Sequence, residues 1–94
     1  MLTSRHGVRL LGADDLADFL ALTEQDPVVN VFAAYRARTT RLEPRWLGGQ
    51  MWGRYTDGVL TAALHVGANL VPVECTADDA AALAARALRH GRST

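Results

Sequence analysis

The dipeptide Asp57-Gly58 stands between two strand-like runs, and it constrains this chain more than any other feature. Asp-Gly supplies the two positive φ angles of a tight hairpin turn. On its near side, residues 50–55 are rich in aromatic and β-prone side chains. On its far side, Leu60, Ala62, Leu64 and Val66 alternate with Val59, Thr61, Ala63 and His65. That is the period of a strand with two distinct faces. A two-stranded hairpin is marginal in water, so the remaining residues must add strands or cover the sheet with helices.

The rest of the chain supplies both. Val8-Arg9-Leu10-Leu11 before Gly12 reads as a first strand. Asp14 and Asp15 suit a helix start, and Leu16, Phe19, Leu20 and Thr23 follow at the spacing of one helix face. This helix should stop near Asp26, because Pro27 disfavours helical geometry in the residue before it. Pro27 can itself open a second helix under an Asp26 cap, with Val28, Val31, Phe32 and Tyr35 as its apolar stripe. Residues 39–45 have no period and read as a connection. After the hairpin, Gly67-Ala68-Asn69 predicts a bulge or bend. Residues 70–75 continue as a further strand or as the bent end of the same one, with Pro72 requiring an edge or splayed position. Thr76-Ala77-Asp78-Asp79 is a capping-box pattern with Asp in place of Glu. Ala80, Leu83, Ala84, Ala87 and Leu88 form the stripe of a third helix, and Gly91 is its expected stop. The order is strand, helix, helix, strand, strand, bent strand, helix. The expected class is α+β, a mostly antiparallel sheet flanked by three helices.

Length and charge limit the functions open to such a fold. The 94 residues hold one domain, residues 1–94. Ten Arg balance ten acids, so the basic excess of a typical nucleic-acid protein is missing. There is no Lys, and 16 residues are Ala; both fit a high-GC bacterial genome. No stretch approaches the roughly 18 apolar residues of a membrane span. The segment Met1–Gly7 lacks the apolar core of a signal peptide. A cytoplasmic protein is expected, with neither nucleic acid nor membrane as partner. The single Cys75 is expected to be a reduced thiol.

Several residues carry candidate chemistry. His65, Glu74 and Cys75 fall at strand positions that could hold a nucleophile with its base, or part of a metal site. The alternative is a packed strand with a small buried thiol. No metal-ligand spacing accompanies them. Glu74 by itself could serve as a general base. Leu47-Gly48-Gly49-Gln50 has the glycines of a phosphate loop but precedes a strand, so the helix dipole is missing. Residues 30–55 hold Arg36, Arg38, Arg41, Arg45 and Arg54 against Glu43 alone, a local charge of +4. The first helix region holds Asp14, Asp15, Asp18, Glu24 and Asp26, a local charge of −5. These are either an electrostatic docking face, for nucleic acid or for an acidic partner surface, or two solvated faces that neutralise each other. Trp46 and Trp52 are open between core and interaction surface. Asn69 fits either a left-handed backbone position or a ligand-facing one.

The element order is also the N-terminal half of the GNAT fold. The blocks Val8-Arg9-Leu10-Leu11-Gly12, Asp26-Pro27-Val28-Val29-Asn30-Val31-Phe32, Leu47-Gly48-Gly49-Gln50-Met51-Trp52-Gly53 and Gly67-Ala68-Asn69-Leu70-Val71-Pro72-Val73-Glu74 make the chain more specific still. From Val8 to about Gly91 it resembles the N-terminal domain, of unassigned function, that precedes the catalytic GNAT domain in acyltransferases of high-GC bacteria. The resemblance implies a parent protein that transfers an acyl group from acetyl-CoA to an amine. It also implies that these 94 residues are the front part of a longer chain. GNAT enzymes hold the coenzyme A pyrophosphate on a loop between the fourth strand and the third helix. That loop carries Gln or Arg, two free positions, Gly, one free position, and Gly or Ala. Here the matching junction is Val73-Glu74-Cys75-Thr76-Ala77-Asp78-Asp79-Ala80, with no Gly, no Arg and three carboxylates. A phosphate at that helix end would meet like charge. The expectation is a non-catalytic half without catalytic, cofactor or metal residues of its own, acting on a catalytic GNAT domain downstream. The alternative is a self-standing interaction module that dimerises through its unpaired strand edge or a Trp-bearing face.

Overall fold

The structure is a computed structural model and describes residues 6–92, with side chains described through residue 90. The N-terminal leader reading rests mainly on residues 1–5, which lie outside the described residues, as do Ser93 and Thr94. Four antiparallel strands, β1 (His6–Leu10), β2 (Gly49–Thr56), β3 (Val59–Gly67) and β4 (Leu70–Val73), form one sheet in sequence order. A 3-10 turn over Ala13–Asp15 leads into α1 (Leu16–Thr23). Helices α2 (Val31–Thr40) and the single-turn α3 (Pro44–Leu47) follow, and α4 (Ala77–Arg92) closes the domain. The class is α+β, as expected.

The hairpin forms where the sequence places it. Asp57 and Gly58 take φ of 51° and 84°, the positive pair a tight turn needs. A bulge that the sequence did not signal lies within the hairpin. It interrupts the β2–β3 register, where Arg54 pairs with Ala62 and Tyr55 with Leu60, so that Thr61 is passed over. The Thr61 hydroxyl donates to the Arg54 carbonyl at 3.2 Å. The extra residue puts Leu60 on the same sheet face as Ala63. Of the bulge or bend expected at residues 67–69, the bend forms, and it reverses the chain. Leu70–Val73 folds back on β3 as a separate antiparallel strand and occupies the sheet edge with Pro72.

Each sheet face has its own core. On one, Leu11, Phe19, Leu22, Ala37, Leu42, Leu47, Met51, Leu60, Ala63 and Val73 join α1 and α2 to the sheet. On the other, Trp52, Ala62 and Leu64 pack against Leu83 of α4, with Val8, Leu10 and Cys75 around them. Alternation along β2 explains the split: Met51 and Tyr55 face one way and Trp52 the other.

Helix α2 departs from expectation in two ways. It begins at Val31, not Pro27. Asp26 does cap, but it caps an isolated turn, its carboxylate accepting from the Val29 amide at 3.2 Å. The chain then restarts at Asn30, which is buried. Its side-chain amide donates to the Thr23 carbonyl at 3.3 Å and to the Glu74 carboxylate at 2.9 Å. The second departure is rotational. The expected stripe of Val28, Val31, Phe32 and Tyr35 faces outward, with Phe32 79% exposed. The buried side carries Ala34, Ala37 and Thr40, and the helix packs mainly on α1. Small residues there let the two helices approach closely, which leaves the large ones outside.

Three smaller corrections follow. The connection after α2 is partly ordered: Arg41 and Leu42 take positive φ, Leu42 is fully buried, and Pro44 opens α3 at a first-turn position. Gly91 lies inside α4 rather than ending it. Leu88, read as part of the buried stripe of α4, is exposed.

Candidate functional site

The β4–α4 junction is built as a closed helix start. The Thr76 hydroxyl accepts from the Asp79 amide at 3.0 Å, and the Asp79 carboxylate accepts from the Thr76 amide at 3.0 Å. This is the reciprocal capping pattern read from the sequence. Arg54 reaches across from β2 and donates to both Asp78 and Asp79 at 3.0 Å. Burial pushes the Asp79 carboxyl up, but the Thr76 bonds and Arg54 outweigh it and hold the carboxyl below its usual range. Glu74 takes a left-handed conformation, φ 54°, and turns its carboxylate to Asn30. At this helix end the Thr76 and Asp79 amides are thus taken by the chain's own cap, and a bound phosphate would meet the carboxylates of Asp78 and Asp79.

The His65, Glu74 and Cys75 constellation does not assemble. Cys75 packs with the α4-side core, and its Sγ donates to the Ala63 carbonyl at 3.0 Å. Burial pushes its thiol pKa up, which disfavours the thiolate a nucleophile needs. His65 lies on the opposite face, beside Met51. No group of three or more possible metal ligands occurs among the described residues.

No direct ion pair joins the basic and acidic segments among the described residues. Arg54 pairs across the sheet with α4, and Arg45 lies over the Trp46 ring at 4.8 Å. Asp15, at the start of α1, is bound by Arg9 of β1 at 2.6 Å and by the Gly12 amide at 2.9 Å. Burial pushes the Asp15 carboxyl up; those two partners, with Tyr55, bring it below its usual range. Tyr55 donates to Asp18 at 3.0 Å, and burial together with that carboxylate pushes its pKa up to about 12. The two Trp residues divide: Trp52 is core and Trp46 is 62% exposed.

A concavity lies between α2 and the β3–β4 hairpin, with a volume of about 390 Å³. Phe32, Ala33 and Arg36 of α2 form one wall. Leu47 and Gly48 form an end, Met51 and His65 the floor, and Asn69, Val71 and Val73 the other wall. Arg36 is held in place by donating to the Leu47 carbonyl at 2.6 Å. Gly48 sits at φ 76° as the cap of α3, and Gly49 follows with its Cα against β3. A Cβ on Gly49 would fall 2.4 Å from the Val66 carbonyl oxygen. The glycines of the supposed phosphate loop thus serve a close backbone approach. Asn69 does not take a positive φ; it lines the pocket. His65 Nε2 is buried without a hydrogen-bond partner. Burial, then the positive charge of Arg36, lowers the His65 pKa, so the ring is neutral at pH 7.

Sequence reasoning took Phe32 for core and did not find this pocket. One signal was present. Apolar residues at 28, 29, 31, 32, 33, 34, 35 and 37 surround the helix almost completely, more than one buried face can use.

Among the described residues no helix is long and apolar enough to cross a membrane. Residues 49–94, which span β2 to the C-terminal helix, match the family described as "Domain of unknown function (DUF4081)". No curated protein and no solved structure matches the chain.

Proposed function

We propose that this domain is a non-catalytic, GNAT-like N-terminal domain of an acetyl-CoA-dependent N-acyltransferase, and that it supports or orients a catalytic domain encoded downstream. The observation that carries the reading is the closed start of α4. In a fold of this element order that helix end is where a coenzyme A pyrophosphate would sit, and here Thr76, Asp79 and Asp78 occupy it with Arg54 behind them. The separation of His65 from Cys75 agrees with a domain that performs no chemistry of its own. The parent is read as a cytoplasmic enzyme of a high-GC bacterium, with acetyl-CoA bound by the downstream domain.

Calorimetric titration of acetyl-CoA into the 94-residue chain tests the first half of this reading. No binding is expected; a Kd tighter than ~0.1 mM, about −5.5 kcal/mol, overturns it. The coding sequence tests the second half. It is expected to continue past Thr94 into a glycine-rich loop that opens a helix, and a stop codon directly after Thr94 overturns it.

One observation favours a second reading, a self-associating interaction module. Val28, Val29, Val31, Phe32 and Tyr35 form an exposed apolar strip on and before α2. Sedimentation velocity separates the two, because self-association requires a dimer whose population falls on dilution.

A further inference from the structure

The pocket between α2 and the β3–β4 hairpin plays no part in the reading above. Its walls are apolar: Phe32, Leu47, Met51, Val71 and Val73. Its volume of about 390 Å³ lies within the ~300–1,000 Å³ of small-molecule sites. Three polar side chains line it, and none is a carboxylate: Arg36, His65 and Asn69.

Arg36 is the informative one. A guanidinium carries five donors in a planar fork. One Arg36 nitrogen, Nη2, donates to the Leu47 carbonyl, which fixes the group at the end of the pocket. No ion pair neutralises it among the described residues, although the chain pairs Arg9 and Arg54 with carboxylates. Gly48 places no side chain beside it: even a Cβ there would lie 3.8 Å from Nη2. A fixed cation with spare donors, at the end of an apolar cavity without acids, complements one ligand chemistry.

We propose that this pocket binds an amphiphilic monocarboxylate, an alkyl or aryl acid whose apolar body lies between Phe32 and Val71 and whose carboxylate meets the Arg36 fork. The carboxylate replaces water on the guanidinium with charge-assisted bonds, and the body removes the apolar walls from solvent. An amine would meet Arg36 as a like charge. A multiply charged phosphate would find one cation and an apolar wall. The inference rests on the pocket and not on the acyltransferase reading, so either can fail without the other.

Octanoate is the probe, titrated into the 94-residue protein by calorimetry and by amide chemical shifts, with octanol and octylamine as controls. The expected Kd is about 0.1–1 mM for a ligand of this size. Octanol is expected to bind about tenfold more weakly and octylamine not at all. Shifts should concentrate at residues 32–36, 47–51 and 65–71. Arg36→Gln should weaken octanoate about tenfold and leave octanol unchanged. The octanol comparison needs no variant, so the test stands even if Arg36→Gln unfolds. Indifference to octanoate up to several millimolar overturns the proposal, and means that these walls await a protein surface instead. So do equal affinities for octanol and octanoate, or shifts confined to other parts of the chain.

Discussion

The two faces of the sheet are finished differently. The α4 face satisfies itself. Trp52 is 1% exposed, the Arg86 guanidinium lies 5.2 Å from its ring centre, and His90 meets the ring edge-on. The helix above it starts with a reciprocal cap and is tied to β2 through Arg54. The α1–α2 face holds the larger core, yet it leaves a pocket open and turns Phe32, Tyr35 and Val31 to solvent. The difference lies in what each helix buries. Helix α4 brings Leu83 to the sheet and α1 brings Phe19 and Leu22, whereas α2 buries Ala34 and Ala37, mainly against α1, and keeps its bulk outside. Large apolar side chains thus stand exposed on α2, the kind of patch that marks interaction surfaces in general. On α4, Leu83 is fully buried over Trp52, and Leu88 is exposed.

The largest expected effect tests that contrast directly. Trp52→Ala should cost about 3–5 kcal/mol in urea unfolding, enough to remove most of a small domain's stability. Phe32→Ala, of similar bulk lost, should change stability by less than about 0.5 kcal/mol, because its side chain is already in water. Equal costs at the two positions would end the distinction between a closed and an open face.

A middle-sized effect belongs to the cap of α4. Thr76→Ala removes the hydroxyl that accepts from the Asp79 amide and should cost about 1 kcal/mol. Thr76→Ser keeps that oxygen and should recover most of it. An unchanged urea midpoint for the Ala variant would mean that Arg54 alone fixes this helix end.

The smallest effect separates the faces by pH. His65 in the folded chain has its pKa lowered below 6.5, by burial and by Arg36. The unfolded chain therefore takes up a proton, as pH falls through about 6.5, that the folded chain refuses. Stability from this group is complete above that pH and declines below it, until the folded-state pKa is reached. His65→Gln should flatten the urea midpoint between pH 7 and pH 5.5 relative to the parent. A parent midpoint that rises on acidification would show His65 gaining a partner when charged.

Much of the fold was legible because the signals were local. Asp57-Gly58 takes the two positive φ angles that this dipeptide favours, whatever surrounds it. Thr76 and Asp79 are three residues apart, so their reciprocal bonds are a property of one helical turn. Pro72 reaches a sheet edge because it has no N–H to give a neighbour. The turn at residues 67–69 was only half legible, since a bend and a reversal use the same residues until β4 finds β3.

What the sequence determined, then, was the type and order of the main elements: a first strand, two helices, a hairpin with its tight turn, an α+β class, and a last helix whose first turn is acidic and self-capped. Backbone preference and hydrogen bonds within a few residues decide such things. Tertiary structure alone decided which way α2 faces, that His65 and Cys75 lie on opposite sides of the sheet, and that Trp52 is core while Trp46 is not. It also placed the bulge at Thr61 and left Arg36 at the end of an apolar pocket. These depend on which elements meet in the finished fold. Helix α2 packs mainly on α1, and its buried side carries the small Ala34 and Ala37 while the large side chains that dominate a hydrophobic pattern stay outside.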